Sequence, residues 1–513
     1  MPTQLVWFKR DLRVADHAPL VEAAKRGPCL CVYFYEPEVF ATAEFDSSHL
    51  VFINESLVDL REALRERGAE LVIRTGRLPD VFAKLHAEHP FATVWAHEET
   101  GQLVTYERDK RVARWCREQG VNSYEAPANG VVRRLKSRDG WAAGWRQRMQ
   151  TPALPALERV VGVPGVEAGE IRSPEELGLP ASTKHEAQRG GESLGRQVLH
   201  SFLRQRSAHY RADMASPNEG WDGCSRLSPH LAYGNLSVRQ AYQATTRRAG
   251  EVRRLKATGG GDAEELTAWG ESLKSFESRL SWHCHFIQKL EDEPAIEFEN
   301  FNHAYDGLRP DVDTPANDRT PWNAEGFAAW CEGRTGYPII DASMRCLHAT
   351  GWINFRMRAM LASFATYHLW LHWREPAKYL ASQFLDYEPG IHYSQFQMQA
   401  GTAGINTTRI YSPPKQTLDN DPEGEFIHRW VPELADMPPE HLGEPWKLPP
   451  LLQQDMGCVI GRDYPLPIVD HLKAYRAARD RMHAFKKTDA ARAESRRVYQ
   501  KHGSRKRPMR RGR

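Results

Sequence analysis

The first part of the chain alternates short apolar runs with stretches whose apolar residues recur at helical spacing. The short runs are typical of strands because they are apolar and bounded by turn residues. They cover residues 5–8, 29–35, 70–73, 93–96 and 121–124. Residues 49–67 between them have the spacing of an amphipathic helix. Strands that alternate with helices predict a parallel α/β sheet.

The pattern changes after this first region. Residues 131–193 contain many prolines and little periodicity, which indicates a connection between domains. Helical periodicity dominates from residue 194 onward. A chain of 513 residues is too long for one core. We therefore expect an α/β domain over 1–130, a linker over 131–193, an all-helical domain over 194–487 and a tail over 488–513.

Residues 330–409 form the most apolar and aromatic block of the helical region. Four groups that are costly to bury without partners lie within it: Arg356, Arg358, Asp386 and His392. Apolar walls with a few directed polar groups are typical of a site for a large planar ligand. The alternative is a helical core that contains internal ion pairs.

Charge and cysteine content limit the classes of protein to which this chain can belong. The formal net charge is only +3, but residues 471–513 contain sixteen Lys/Arg against three Asp/Glu. Such an end is either solvated or a contact for nucleic acid. Eight scattered cysteines without a CxxC pair fit a reduced, cytoplasmic protein without a metal cluster. No apolar run is long enough to span a membrane.

Three stretches resemble one known family. They are TGYPIIDASMRCLHATGW followed by R-x-R and WRE, the opening stretch TQLVWFKRDLRVADHAPLVEAA, and CSRLSPHLAYGNLSVRQ. All three are similar to the DNA photolyase/cryptochrome family. The resemblance implies a Rossmann-like N-terminal domain and an all-α domain that binds FAD. It also implies blue-light-driven electron transfer, with a possible antenna chromophore, a folate or a deazaflavin, near residues 97–108.

The resemblance also assigns the FAD site. Ser228 and Pro229 suit the start of a helix, and hydroxyls at such a turn can hold a diphosphate. The family's matching positions hold the phosphates through Tyr210, Ser225, Leu227 and Ser228. Its flavin ring contacts match Trp352, Arg358, Asp386 and Glu388, the last replacing an Asp. A carboxylate at Asp386 can accept the ring N–H, and Arg358 can compensate its burial.

His392 is the sharpest departure from the family pattern. It matches the residue that faces flavin N5, which is usually Asn, Asp or Cys in the family. A histidine can change its charge near neutral pH, so His392 could tune protonation of the flavin. The alternative is a loop histidine turned away from the ring.

Most of the residues that are expected to contact the substrate differ from those of the family. Of five residues that bind cyclobutane dimers in the family, only Trp282 remains. Arg279, Phe355, Ala359 and Met398 stand at the other four positions, so the usual hydrogen bonds to the bases are lost. Asn354 and Phe355 stand where (6-4) photolyases have two histidines. Arg279 could instead pair with a phosphate or a carboxylate.

The family's chain of three tryptophans is also altered. Trp373 matches the middle member, whereas Phe396 replaces the member nearest the flavin and Thr320 the surface one. Trp322 lies close to position 320. Photoreduction is then either slow or follows another route, with Trp330, Trp352, Trp370, Tyr367 and Tyr393 as candidates. The alternative for each of these residues is an ordinary core aromatic.

Two functions follow from these residues. The first is a photolyase-like enzyme, that is, a carbon–carbon lyase that acts on DNA. Its predicted catalytic residues are His392, Trp373, Trp282 and Arg279. The second is a cryptochrome-type photoreceptor whose conformation a signalling partner reads. A third is a binding protein without a light function. The sequence favours the first, without a standard cyclobutane-dimer site.

Overall fold

The computed structural model describes residues 1–504. The N-terminal domain is built on a five-stranded sheet of parallel strands in the order β3-β2-β1-β4-β5. The strands are β1 Gln4–Phe8, β2 Cys29–Tyr35, β3 Leu71–Thr75, β4 Thr93–His97 and β5 Asn122–Ala126. All five predicted strands are present, and the parallel α/β prediction is confirmed.

The central strands are apolar throughout because both faces of the sheet are covered. Val6 and Phe8 of β1 pack into the core on one face, and Leu5 and Trp7 pack into the core on the other. The covering helices are α1 Ala18–Ala24, α2 Pro37–Phe40, α3 Ser47–Arg65, α4 Asp80–Glu88 and α5 Leu103–Glu118. Helix α3 begins where Asp46 accepts from the Ser48 amide at 2.9 Å.

The remainder of the described chain is helical, which confirms the all-α prediction. The α-helices are α6 Trp141–Gln150, α7 Glu192–Ser201, α8 Tyr210–Asp213, α9 Glu219–Gly223, α10 Ser228–Ala232, α11 Val238–Ala257, α12 Ala263–Asp292, α13 Ala324–Cys331, α14 Pro338–Thr350, α15 Phe355–Ser363, α16 Arg374–Gln383, α17 Pro389–Ala400, α18 Pro413–Asn420, α19 Glu425–Trp430, α20 Pro450–Asp455, α21 His471–Lys486 and α22 Asp489–His502. Single π-helical turns follow α7 and α15. Within the described residues, no helix has both the length and the apolarity needed to span a bilayer.

The expected linker is more ordered than its composition indicates. Helix α6 lies within residues 131–193, and its Trp141, Trp145 and Met149 are buried in the core of the helical domain. A later part of the linker pairs with the sheet, because the Cys29 amide donates to Val161 O at 2.7 Å. These contacts are long-range, so local periodicity does not reveal them.

The expected tail from residue 488 is wrong for most of its described length. Helix α22 continues to His502, and both Val498 and His502 are buried. His502 forms a hydrogen bond through its Nε2 with Glu293, directly after the end of α12. Residues 505–513, which carry most of the terminal basic run, lie outside the described part of the chain.

One turn sets the geometry of the later site. Gly351 ends α14 with φ of 69°, a left-handed conformation that favours glycine. A Cβ there would approach the Leu385 Cβ to 2.9 Å. The Gly351 carbonyl accepts from the Leu385 amide at 2.9 Å. The turn therefore holds Trp352 and Asp386 close to one another.

Candidate flavin site

A cavity of about 320 Å³ lies among α10, α12, α15 and α17. It brings together most of the site residues that the sequence predicts. These residues are Tyr210, Ser225, Ser228, Arg279, Trp282, Trp352, Arg358, Asp386 and His392. Three other predicted residues, Leu227, Glu388 and Trp373, are not part of its lining.

Arg358 and Asp386 form a two-pronged ion pair at the centre of this cavity. Arg358 Nη1 and Nη2 each donate to a different Asp386 oxygen at 2.9 Å. Burial alone would raise the pKa of the Asp386 carboxyl, but Arg358 holds that pKa below its usual value. Asp386 is therefore an anion that can still accept a hydrogen bond from a ligand N–H.

Local structure positions this pair. Asn354 caps α15 by accepting from the Met357 amide at 3.2 Å, and it donates to Ala215 O at 3.0 Å. Arg358 follows one turn later, and its Nε donates to Ile353 O at 2.9 Å. The guanidinium is thus fixed before any ligand binds.

The turn that is predicted to hold phosphates begins its helix at a different residue from the one that the sequence predicts. Leu227, not Ser228, is the cap residue of α10, which has only five residues. Leu227 is fully buried and contributes no side chain to the cavity. The Ser228 hydroxyl is hydrogen-bonded to Asp386 and helps to lower its pKa. Ser225, Ser228 and Tyr210 remain as hydroxyls along this wall.

Arg226 is a wall residue that the sequence reasoning missed. Its guanidinium carbon lies 4.1 Å from the ring centroid of Trp221 and 4.0 Å from that of Trp352. Burial lowers the pKa of Arg226 to about 10, although Asp386 opposes this shift, so the side chain stays cationic at neutral pH. The S-R-L-S motif contained this residue, but motif spacing alone cannot show that its guanidinium lies against two indole rings.

His392 lines the cavity but does not behave as predicted. Its Nε2 donates to Ala377 O at 2.7 Å, which leaves Nδ1 as the unprotonated nitrogen. Burial lowers the pKa of His392 to about 4. The prediction that its charge changes near neutral pH is therefore wrong, and the ring is a neutral group of the wall.

Glu388 belongs to a different cavity. It lines a small space at the domain boundary, where its carboxylate lies 3.7 Å from Arg10 Nη2. Arg10 also donates to Ala232 O and to Tyr387 O, at 2.8 and 2.6 Å. Burial raises the pKa of Glu388 to about 7. The structure thus places Glu388 in a contact between domains.

The outer end of the flavin-type cavity is open and aromatic. Trp282 and Phe355 are 38% and 47% exposed although they line the cavity. Arg279 lies over the Trp282 ring, with 5.5 Å between its guanidinium carbon and the ring centroid. Ala359 is also in the wall. Met398 is not in it and packs instead against a separate cluster that includes Phe301 and Val498.

Trp373 is completely buried outside the cavity. Its Nε1 donates to Asn300 Oδ1 at 2.7 Å. Its ring centroid lies 6.1 Å from that of Tyr393, which precedes Phe396 by almost one turn of α17. Phe396 lines the cavity, as its sequence position predicts.

The wall fits a flavin in its donor and acceptor groups. His283 Nδ1 and Gln395 Oε1 are buried in the lining without a hydrogen-bond partner among the described residues. Unpaired buried polar atoms are costly unless a ligand or water pairs with them. Together with Asp386, they offer polar contacts in an otherwise largely apolar lining, a combination that suits an isoalloxazine ring. Neither residue was identified from sequence.

A second cavity lies between the α/β domain and the loop after α16. Its charged lining includes Lys9, Glu36, Glu44, Glu99 and Arg108. Its volume is about 100 Å³. Burial raises the pKa of Glu36 to about 7, although Arg108 opposes this shift.

A separate buried cluster joins Asp11, His17 and His97. Asp11 Oδ2 lies 2.9 Å from His17 Nε2 and 2.6 Å from His97 Nδ1. His17 Nδ1 accepts from the Leu20 amide at 3.1 Å, so its Nε2 carries the proton that Asp11 accepts. Hydrogen bonds account for this cluster without a metal ion.

Comparison with known proteins agrees with this arrangement. The model of the DNA photolyase domain matches residues 4–139, and that of the FAD binding domain of DNA photolyase matches residues 276–484. The chain is 31% identical to cryptochrome DASH of Gloeobacter violaceus over 491 residues, which cover 91% of this chain and 93% of that protein. It is 27% identical to a deoxyribodipyrimidine photo-lyase of Alkalihalophilus pseudofirmus, over 92% of this chain and 96% of that one.

A solved structure is also similar over nearly the whole chain. The archaeal photolyase of Sulfolobus tokodaii, whose structure is described as containing two FAD molecules with the implication of a novel light-harvesting cofactor, is 26% identical. The TM-score is 0.71, and the match covers 94% of this chain and 100% of that chain. With both domain models matched and a relative above 30% identity over nearly the whole length, the chain belongs to the DNA photolyase/cryptochrome family and carries its FAD-binding domain.

Proposed function

We propose that this protein is a photolyase-like enzyme that uses blue light absorbed by FAD to transfer an electron to a lesion in DNA. One observation carries the proposal. The cavity that holds the Arg358–Asp386 pair continues without interruption to an open mouth with two exposed aromatic rings. A protein that only had to bury a flavin would not need such a mouth.

Several residues of the chain have separate roles in binding the flavin. Asp386 would accept from the N–H of a bound flavin ring, Arg358 keeps Asp386 anionic, and Trp352 with Arg226 would form part of the wall beside the ring. Bound FAD supplies light absorption and one-electron transfer. The neutral His392 and the apolar wall around it exclude water and leave no titrating group at that position.

The mouth suits a base that has left the DNA stack. Enzymes that act on a base within a duplex extrude it into a pocket, where it stacks between aromatic side chains. Trp282 and Phe355 offer such faces, and the Arg279 guanidinium can bind a phosphate. Because Arg279 replaces a carboxylate of the usual wall, the accepted lesion is a cyclobutane dimer bound in another way, or a different photoproduct.

The test is a repair assay with chemically reduced flavin, which bypasses any route for photoreduction. DNA with cyclobutane or (6-4) lesions is illuminated, and restored bases are counted. Trp282→Ala should weaken lesion binding by about 1–3 kcal/mol, the range for loss of one stacked base. Phe298→Ala is the control, since Phe298 is also 38% exposed but lies outside this cavity.

The rival function is a cryptochrome-type photoreceptor, favoured by the loss of four residues of the usual substrate wall and by Phe396. The same assay separates the two. A flavin-loaded protein that repairs neither lesion and binds damaged and intact DNA equally would leave the photoreceptor as the function. The signalling partner would then have to recognise a light-dependent conformation.

We also propose that the second cavity holds the antenna chromophore. Five residues of the 97–108 segment line it: Glu99, Gly101, Gln102, Thr105 and Arg108. The folate, deazaflavin and flavin alternatives can be separated by the absorption spectrum of the extracted chromophore. The eight free cysteines support a reducing compartment, the cytoplasm, as the location.

A further inference from the structure

Tyr393 occupies an unusual place between the flavin-type cavity and Trp373. It is on α17 and only 1% exposed. Its ring centroid lies 5.5 Å from that of the cavity residue His392 and 6.1 Å from that of Trp373. It therefore forms an aromatic connection between the cavity wall and a tryptophan that does not reach the cavity.

The Tyr393 hydroxyl has a well-placed acceptor. It donates to Glu44 Oε1 at 2.6 Å, across the boundary between the two domains. Glu44 is buried, and among the described residues no Lys, Arg or His nitrogen lies within ion-pair distance of its carboxylate. Glu297 and Tyr387 are the other titratable groups that influence Tyr393. Burial raises the pKa of Tyr393, so the phenol is protonated at neutral pH.

The replacement at Phe396 explains why a redox-active group at Tyr393 matters. Phe396 lines the cavity where the family resemblance places a redox-active tryptophan. A phenyl ring without a heteroatom is a poor electron donor. Trp373 is separated from the cavity, and Tyr393 is the ring that contacts both Trp373 and a residue of the wall.

We propose that Tyr393 is the electron donor next to the cavity and that Glu44 accepts its proton. This inference rests on the proposed light-driven function. It assigns two residues of this chain, one from each domain, to the step that reduces the cofactor.

Tyr393 gives one electron to the photo-excited, oxidised flavin, and its O–H bond breaks as the proton forms a bond to Glu44 Oε1. The product is a neutral tyrosyl radical beside a neutral carboxylic acid, so no unpaired cation is left buried. A thiolate in solution then gives one electron to the radical and leaves as a thiyl radical, and Glu44 returns the proton to the phenol oxygen.

The experiment compares Tyr393→Phe and Glu44→Gln with the wild type, all loaded with oxidised FAD. Tyr379→Phe is the matched control, because Tyr379 also donates through its hydroxyl, to Cys331 O at 2.7 Å, but lies away from the cavity. Flavin reduction under blue light is followed by absorbance with a thiol present. Radicals trapped at low temperature are identified by electron paramagnetic resonance with ring-deuterated tyrosine.

We expect the wild type to show a tyrosyl signal, and Tyr393→Phe to lose it. Glu44→Gln should slow photoreduction by about a hundredfold, the usual contribution of a positioned proton acceptor. The wild-type rate should fall in D₂O, whereas the rate of Tyr393→Phe should not. In the flavin-free protein, Glu44→Gln should shift the infrared C–O stretch of Tyr393, which reports the hydrogen bond independently of the cofactor.

Two results would overturn the inference, and they are distinguishable. If the wild type is photoreduced and Tyr393→Phe matches it in rate and radical signal, the relay is wrong while the light-driven function stands. If the wild type holds FAD but light reduces it in no variant, the proposed function fails and the relay fails with it.

Discussion

The Arg358–Asp386 pair gives the sharpest prediction for stability. Arg358→Met removes the guanidinium but retains much of its length. Asp386 then keeps its burial, with a side chain only 5% exposed, and loses both 2.9 Å hydrogen bonds. In the wild type its lowered pKa stabilises the fold above about pH 4, and this contribution is lost as pH falls through that pKa.

The magnitude follows from the geometry. Charges roughly 4 Å apart interact by about 4 kcal/mol at an effective dielectric constant of 20. Removing one partner of a buried pair costs about 3–5 kcal/mol, and the lower end applies because Arg358 is one-quarter exposed. A loss of about 3 kcal/mol lowers Tm by roughly 5 °C in a domain of this size. In the variant, burial raises the Asp386 pKa, so the deficit is largest above that pKa and shrinks as pH falls.

Calorimetric Tm values at about pH 5 and about pH 8 test whether the loss of stability becomes smaller as pH falls. The deficit of Arg358→Met should be smaller at the lower pH, and adding Asp386→Asn should recover part of it because a neutral amide is cheaper to bury. Lys415→Met is the control: its partner Asp419 lies 3.2 Å away, but the pair is exposed and worth at most about 0.5 kcal/mol. An equal deficit at both pH values would refute the electrostatic reasoning.

Two further predictions concern the cavity wall. Because burial lowers the pKa of His392 to about 4, the NMR shifts of its ring carbons should stay constant between about pH 5.5 and 8, and a titration in that range would contradict the assigned burial. Arg226→Met removes a cation held between Trp221 and Trp352, so FAD affinity should fall by about 1–2 kcal/mol, or roughly tenfold. Equilibrium dialysis measures this, and an unchanged affinity would assign the stack to packing alone.

Much of the fold follows from local pattern. The five strands are readable because each is a short apolar run between turns, and burial on both faces makes the central strands continuously apolar. The helical domain is readable from its periodicity. Helix α6 in the expected linker and α22 in the expected tail were missed. Helix α22 is polar and basic, like a solvated segment, and α6 lies in a stretch rich in proline, so local pattern does not reveal the long-range contacts that bury them.

The candidate site also has some features that the sequence determined and others that only the tertiary structure decided. The sequence by itself determined the family, the flavin-type pocket and its central pair, because residue type and motif spacing identify Arg358 and Asp386. Tertiary structure alone decided which residues face the cavity. Glu388 is two residues from Asp386 yet contacts Arg10, and Met398 is two residues from Phe396 yet packs into another core. The physical reason is that side-chain direction depends on helix phase and on packing between domains, which also placed Glu44 beside Tyr393 from a distant part of the chain.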